Sequence, residues 1–126
     1  MIGVEICMIV SDCLKALELY EDIFELVRIN VTALERGQNE AVFSISGTRF
    51  HMLDENEELQ MLAPKPGDAM PVWYNVVVPD INATYDSALE SGCVDLMPVT
   101  EIEDLGVLTC MFSDPFGYTW QLHEIA

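Results

Sequence analysis

Phe112-Ser113-Asp114-Pro115-Phe116-Gly117-Tyr118-Thr119-Trp120-Gln121-Leu122-His123-Glu124 is the stretch whose reading decides the fold. Asp-Pro-Phe-Gly is a turn with a mechanism. Pro115 fixes φ at the first corner, and Gly117 can take the positive φ that closes it. The flanks, Leu108-Thr109-Cys110-Met111-Phe112 and Tyr118-Thr119-Trp120-Gln121-Leu122, are aromatic, β-branched and apolar, as strands are. The chain therefore closes on a β-hairpin. Trp120 and Leu122 alternate with Gln121 and His123, so the two pairs face opposite sides of the sheet. If Trp120 and Leu122 pack on a helix, Gln121 faces away from it. His123, near the chain end, is expected to be exposed.

Working outward, the same plan occurs twice. Val10-Ser11-Asp12 precedes Cys13-Leu14-Lys15-Ala16-Leu17-Glu18-Leu19-Tyr20, and Val78-Pro79-Asp80 precedes Ile81-Asn82-Ala83-Thr84-Tyr85-Asp86-Ser87-Ala88-Leu89. An apolar strand, Ile6 to Val10 or Tyr74 to Val78, leads into each. Asp12 and Asp80 read as N-caps. Leu14, Leu17, Tyr20, Ile23 and Phe24 form one helical stripe, and Ile81, Tyr85, Ala88 and Leu89 the other, which Gly92 stops. Three strands are predicted after each helix: about Arg28–Leu34, Glu40–Ser46 and Thr48–Leu53, then about Cys93–Val99, Gly106–Phe112 and Tyr118–Glu124. Ser46-Gly47 turns the first half as Phe116-Gly117 turns the second. The chain thus reads as one α+β domain of two βαβββ modules, 1–54 and 72–126. Residues 55–71, acidic and then carrying Pro64, Pro66 and Gly67, read as a linker.

This order and the terminal motif resemble the vicinal-oxygen-chelate superfamily, the glyoxalase, bleomycin-resistance and extradiol-dioxygenase proteins. Asp-Pro-Phe-Gly-Tyr-Thr-Trp is most similar to its PhnB-like branch. The resemblance implies a cup-shaped mixed sheet built by two modules, and a homodimer. It also implies a divalent metal in some members, held at equivalent points of the two halves: on the first strand of each module and on its last. Seven residues back from the Asp caps stand Glu5 and Trp73; four residues on from Gly47 and Gly117 stand His51 and Gln121. Metal-dependent members hold His or Glu there. Trp73 has only an N–H donor, and Gln121 offers a neutral oxygen that suits zinc, nickel or iron poorly. Glu5, His51 and Gln121 are thus weak metal candidates, and no cofactor is expected.

Each of these residues has a plainer reading. Glu5 sits at a strand end in water or faces the cup with a partner, since burying it unpaired is costly. His51 is a structural histidine, or a donor, acceptor or general base in the cup. Trp73 is core packing or an aromatic wall for a flat or cationic ligand.

Composition narrows the function further. Of 126 residues, 22 are acidic and 5 basic, a net charge of -17. Without a basic stripe to displace counterions, nucleic acid is excluded as a partner, and anionic membrane surfaces are disfavoured. The charge is a solvated surface, or a field that draws a cationic ligand. No transmembrane segment occurs. The apolar start is interrupted by Glu5 and has no basic n-region, so a cytoplasmic location is expected. Cys7, Cys13, Cys93 and Cys110 have no zinc spacing and are expected to be buried reduced thiols, although Cys7, two residues from Glu5, could share a strand face with it. Neither a nucleophile elbow nor a phosphate-cradling glycine loop is present.

The expected function is metal-independent capture of a small organic molecule, with Trp73 as aromatic wall and Glu5, His51 and Gln121 as polar anchors, as in drug-sequestering relatives. The alternatives are a metal-dependent lyase or dioxygenase of the glyoxalase type, or a metal-free isomerase with Glu5 or His51 as catalytic base.

Overall fold

A computed structural model describes residues 2–125. The chain divides into two compact units at Pro64/Lys65. In the first, β1 (Ile6–Val10) leads into α1 (Cys13–Ile23), followed by β2 (Leu26–Val31), β3 (Glu40–Ile45) and β4 (Thr48–Asp54). These form a four-stranded mixed sheet in the order β1-β4-β3-β2, with β1 and β4 parallel. In the second, β5 (Tyr74–Val77), α2 (Ile81–Glu90), β6 (Val94–Ile102), β7 (Val107–Ser113) and β8 (Thr119–Ile125) repeat the plan as β5-β8-β7-β6. The fold is the α+β pair of βαβββ modules that the sequence predicts.

Local chemistry starts each helix as expected. The Asp12 carboxylate accepts from Lys15 N at 3.2 Å, and that of Asp80 from Ala83 N at 3.1 Å. A second carboxylate, from the end of the last strand, then meets each helix's first N–H. Asp54 Oδ1 accepts from Cys13 N at 2.6 Å, and Glu124 Oε1 from Ile81 N at 3.0 Å. The helix N-terminus is thereby tied to the strand it packs beside.

Each helix covers one face of its sheet. Under α1 lie Met8, Val10, Phe43, Phe50 and Met52, all buried, with the rings of Phe43 and Phe50 stacked at 5.4 Å. Under α2 lie Val76, Phe112, Trp120 and Leu122. The hairpin motif forms the turn its residues require. Gly117 has φ 95°, and the buried Asp114 carboxylate accepts from Phe116 N, Tyr118 N and the Trp120 indole at 2.8, 3.0 and 2.9 Å. In the first unit Ser46 and Gly47 both take positive φ, 49° and 83°, the requirement of a tight hairpin turn between β3 and β4.

Some strand limits differ from the prediction. The second strand ends at Val31 rather than Leu34, because the Asn39 side chain takes Leu34 N at 2.7 Å and gives to Leu34 O at 3.0 Å, folding that segment into a loop. The strand predicted to end at Val99 runs on to Ile102, with irregularities around Met97. It tolerates Pro98 because it is a sheet edge, where a missing N–H breaks no ladder. Between the modules, Glu57–Leu59 form one 3-10 turn, and Asn56 and Met61 bridge each other.

Candidate functional site

The helix-free face of each sheet carries the candidate residues. In the first unit Glu5 stands one residue before β1. Strand β4 brings Arg49 and His51 to the same face, two residues apart as the pleat demands. Glu5 Oε2 accepts from Arg49 Nε at 2.9 Å, while Glu5 Oε1 lies 3.3 Å from His51 Nδ1. The other ring nitrogen, Nε2, lies 3.2 Å from Glu40 Oε2 on β3. An imidazole held between two carboxylates donates to both only when protonated. The Arg49 and His51 hydrogen bonds hold the Glu5 carboxyl below its ordinary value of 4.5. Glu5 therefore faces partners rather than bulk water alone, although its side chain stays 31% exposed. Cys7 is paired with His51 across β1 and β4, and Glu5, Cys7 and His51 bring three ligand atoms within 4.8 Å of one another.

In the second unit Trp73 stands one residue before β5, and Gln121 lies on β8. Trp73 Nε1 donates to Gln121 Oε1 at 2.9 Å. That bond fixes the amide, because an indole only donates. Gln121 Nε2 then donates to Thr109 Oγ1 at 3.1 Å and lies 3.3 Å from His123 Nε2. Asn75 Nδ2 lies 2.7 Å from His123 Nδ1. His123 is thus half-buried in a polar ladder rather than exposed as its place near the chain end suggested, because at that position β8 is paired with both β5, at Val77, and β7, at Thr109. Trp73 is not core: half of its surface is exposed.

The strand registers give the two halves the same local plan. Cys7 pairs with His51, and Asn75 with Gln121; Glu5 and Trp73 each precede their pair by two residues. The structure therefore joins Glu5 to His51 and Trp73 to Gln121 within their own modules. Sequence reasoning missed Arg49, Glu40, Asn75 and Thr109. Arg49 was findable from period-two alternation with His51. Glu40, Asn75 and Thr109 become neighbours only through strand register.

The sequence model of the Glyoxalase/Bleomycin resistance protein/Dioxygenase superfamily matches residues 4–122. The chain belongs to this superfamily. No curated protein matches it by sequence. Solved structures similar to it include a variant of the genomically encoded fosfomycin resistance protein FosX from Listeria monocytogenes, complexed with Mn(II) and 1S,2S-dihydroxypropylphosphonic acid. That likeness is 17% identity, 100% of this chain and 93% of the other, at TM-score 0.75. TioX from Micromonospora sp. ML1 is 14% identical over 100% of both chains, at TM-score 0.73. The hypothetical protein SA1046 from S. aureus is 16% identical, with 100% and 95% covered, at TM-score 0.71. At these identities the likeness is one of fold.

A superfamily-type metal drawing on both modules finds a poor donor set here. The first module offers Glu5 and His51. The second offers an indole N–H, which cannot ligate, and an amide oxygen that already accepts from it. Gln121 and Trp73 are hydrogen-bonded to each other.

Among the described residues, no helix is long and apolar enough to cross a membrane.

Proposed function

We propose that this superfamily member, of the PhnB-like branch by its Asp-Pro-Phe-Gly-Tyr-Thr-Trp motif, captures a small organic cation reversibly and without a metal, and does so as a homodimer. The observation that carries this reading is the 2.9 Å hydrogen bond from Trp73 to Gln121. It turns two superfamily metal positions into a preorganised aromatic surface. Its indole edge is pinned, while half of the side chain stays accessible. An aromatic face held in this way attracts cations through its quadrupole. The net charge of -17 favours the encounter.

Capture is then a matter of binding alone. Trp73 stacks on the flat or cationic part of the ligand, and the amide of Gln121 keeps the indole in place. Of the two tryptophans, Trp120 is buried with its N–H on Asp114, so ligand-dependent fluorescence change reports Trp73.

A panel of aromatic cations, titrated in the presence of a chelator, tests the reading. Saturable quenching is expected in the parent, and Trp73→Ala, which lacks the reporter and is followed by calorimetry, is expected to bind about fivefold to thirtyfold more weakly. Binding that appears only after Mn(II) or another divalent ion is restored would overturn it, as would full affinity in Trp73→Ala.

A further inference from the structure

We propose that the first module alone holds a thiophilic divalent cation of the zinc class, with Glu5, Cys7 and His51 as its ligands. This site uses neither Trp73 nor Gln121, the pair that carries the capture proposal, and that pair needs neither the thiol nor a metal. It also differs from a centre shared between modules, since all three ligands come from the paired strands β1 and β4 and the residue leading into them.

Three observations carry it. The first is donor chemistry. Carboxylate, thiolate and imidazole together are the ligand set that zinc prefers, and three protein ligands leave a fourth position open to water. The second is geometry. Ligand atoms bound at about 2.0–2.1 Å and disposed tetrahedrally lie about 3.3 Å from each other. Glu5 Oε1 and His51 Nδ1 lie 3.3 Å apart. Cys7, exposed and free to change rotamer, stands within 4.8 Å of both. The third is what holds the imidazole. Glu40 Oε2, 3.2 Å from Nε2, is placed to accept from that nitrogen and leave the Nδ1 lone pair for a metal. Glu5 can serve without giving up Arg49, because Arg49 binds Oε2 and Oε1 is the oxygen that faces His51.

Cys7 also differs from the other three thiols. Burial pushes the Cys13 and Cys93 thiols up to about 12 and that of Cys110 to about 11, so these stay protonated at neutral pH. Only Cys7 is exposed. Binding releases the thiol proton to solvent as the sulfur–metal bond forms, with no change of oxidation state.

Cobalt(II) is the probe, because a cobalt-bound thiolate gives a charge-transfer absorption that carboxylate and imidazole do not. The full-length reduced protein is titrated with Co(II), and Zn(II) is then added. The expected result is a saturable charge-transfer band at one equivalent, bleached by Zn(II) and absent in Cys7→Ala. Cys7 is exposed, so this variant is expected to fold. In Glu40→Gln the band is retained but affinity falls about tenfold to a hundredfold. Absence of the band, or its persistence in Cys7→Ala, overturns the proposal. Neither result bears on the aromatic-cation titration, which is run in chelator.

Discussion

Asp114 is 2% exposed and accepts two backbone N–H bonds and one indole N–H. Removing it strands those donors where water does not reach, so Asp114→Ala is expected to cost about 3 kcal/mol, read as a lower urea midpoint at unchanged slope. A loss under about 0.5 kcal/mol, the size of an ordinary surface change, would refute that role. The part of Asp114 in the turn was legible from Asp-Pro-Phe-Gly, since Asp-initiated turns bond their own backbone. Its bond to Trp120 was not, because it depends on how the hairpin packs. Glu5 behaves differently, being part-exposed and hydrogen-bonded to Arg49 and His51. Its folded-state pKa is depressed below 4.5, chiefly by Arg49 and then by His51. Its stabilisation is therefore complete above that value and is lost as pH falls through the lower, folded-state one. Glu5→Gln is expected to be less stable than the parent at neutral pH, with a gap that closes on acidification below pH 4.5. A gap that stays constant through acid unfolding would assign the effect to packing instead.

At the scale of elements, the two modules solve one problem with unequal means. Each must anchor a helix N-terminus on the end of its last strand. Asp54 does so with three bonds, to Cys13 N at 2.6 Å, Gly37 N at 2.8 Å and Asn39 N at 2.9 Å, and is 4% exposed. Among the hydrogen bonds described, Glu124 makes one, to Ile81 N, from a half-buried position. Asp54→Ala is expected to cost about 3 kcal/mol, because three backbone donors lose their acceptor, and Glu124→Ala about 1 kcal/mol, as for loss of a cap. Equal costs in denaturant unfolding would mean that the loop carrying Gly37 and Asn39 relaxes to find water. Sequence reading found Asp12 and Asp80 because a cap and its target are three residues apart. It passed over Asp54, whose partners are 15 to 41 residues away. The same reason separates what was readable in the candidate site from what was not. Glu5, His51, Trp73 and Gln121 follow from counting along a repeat. Glu40 joins His51 only because β3 returns antiparallel beside β4.

Across the whole molecule, charge is the dominant unbalanced quantity. With 22 acids against 5 bases, even full pairing of every base leaves 22 − 5 = 17 negative charges. Three of the bases are already committed: Arg28 to Glu21 at 2.6 Å, Arg49 to Glu5 at 2.9 Å and Arg36 to Asp12 at 3.8 Å. The surplus repels itself in the compact state more than in the unfolded chain, where the charges lie farther apart. Salt shortens the reach of that repulsion to about 10 Å at 0.1 M, and also weakens the attraction of any organic cation to the surface. Two opposite responses to sodium chloride are therefore expected from one cause. The thermal midpoint should rise from low salt to about 0.5 M, while affinity for an aromatic cation falls over the same range. An uncharged aromatic isostere of that cation separates the contributions, because its contact with Trp73 is insensitive to screening. If the midpoint does not move, self-repulsion is already relieved within the fold. If the cation and its neutral isostere lose affinity equally, the field plays no part in capture and Trp73 alone selects the ligand.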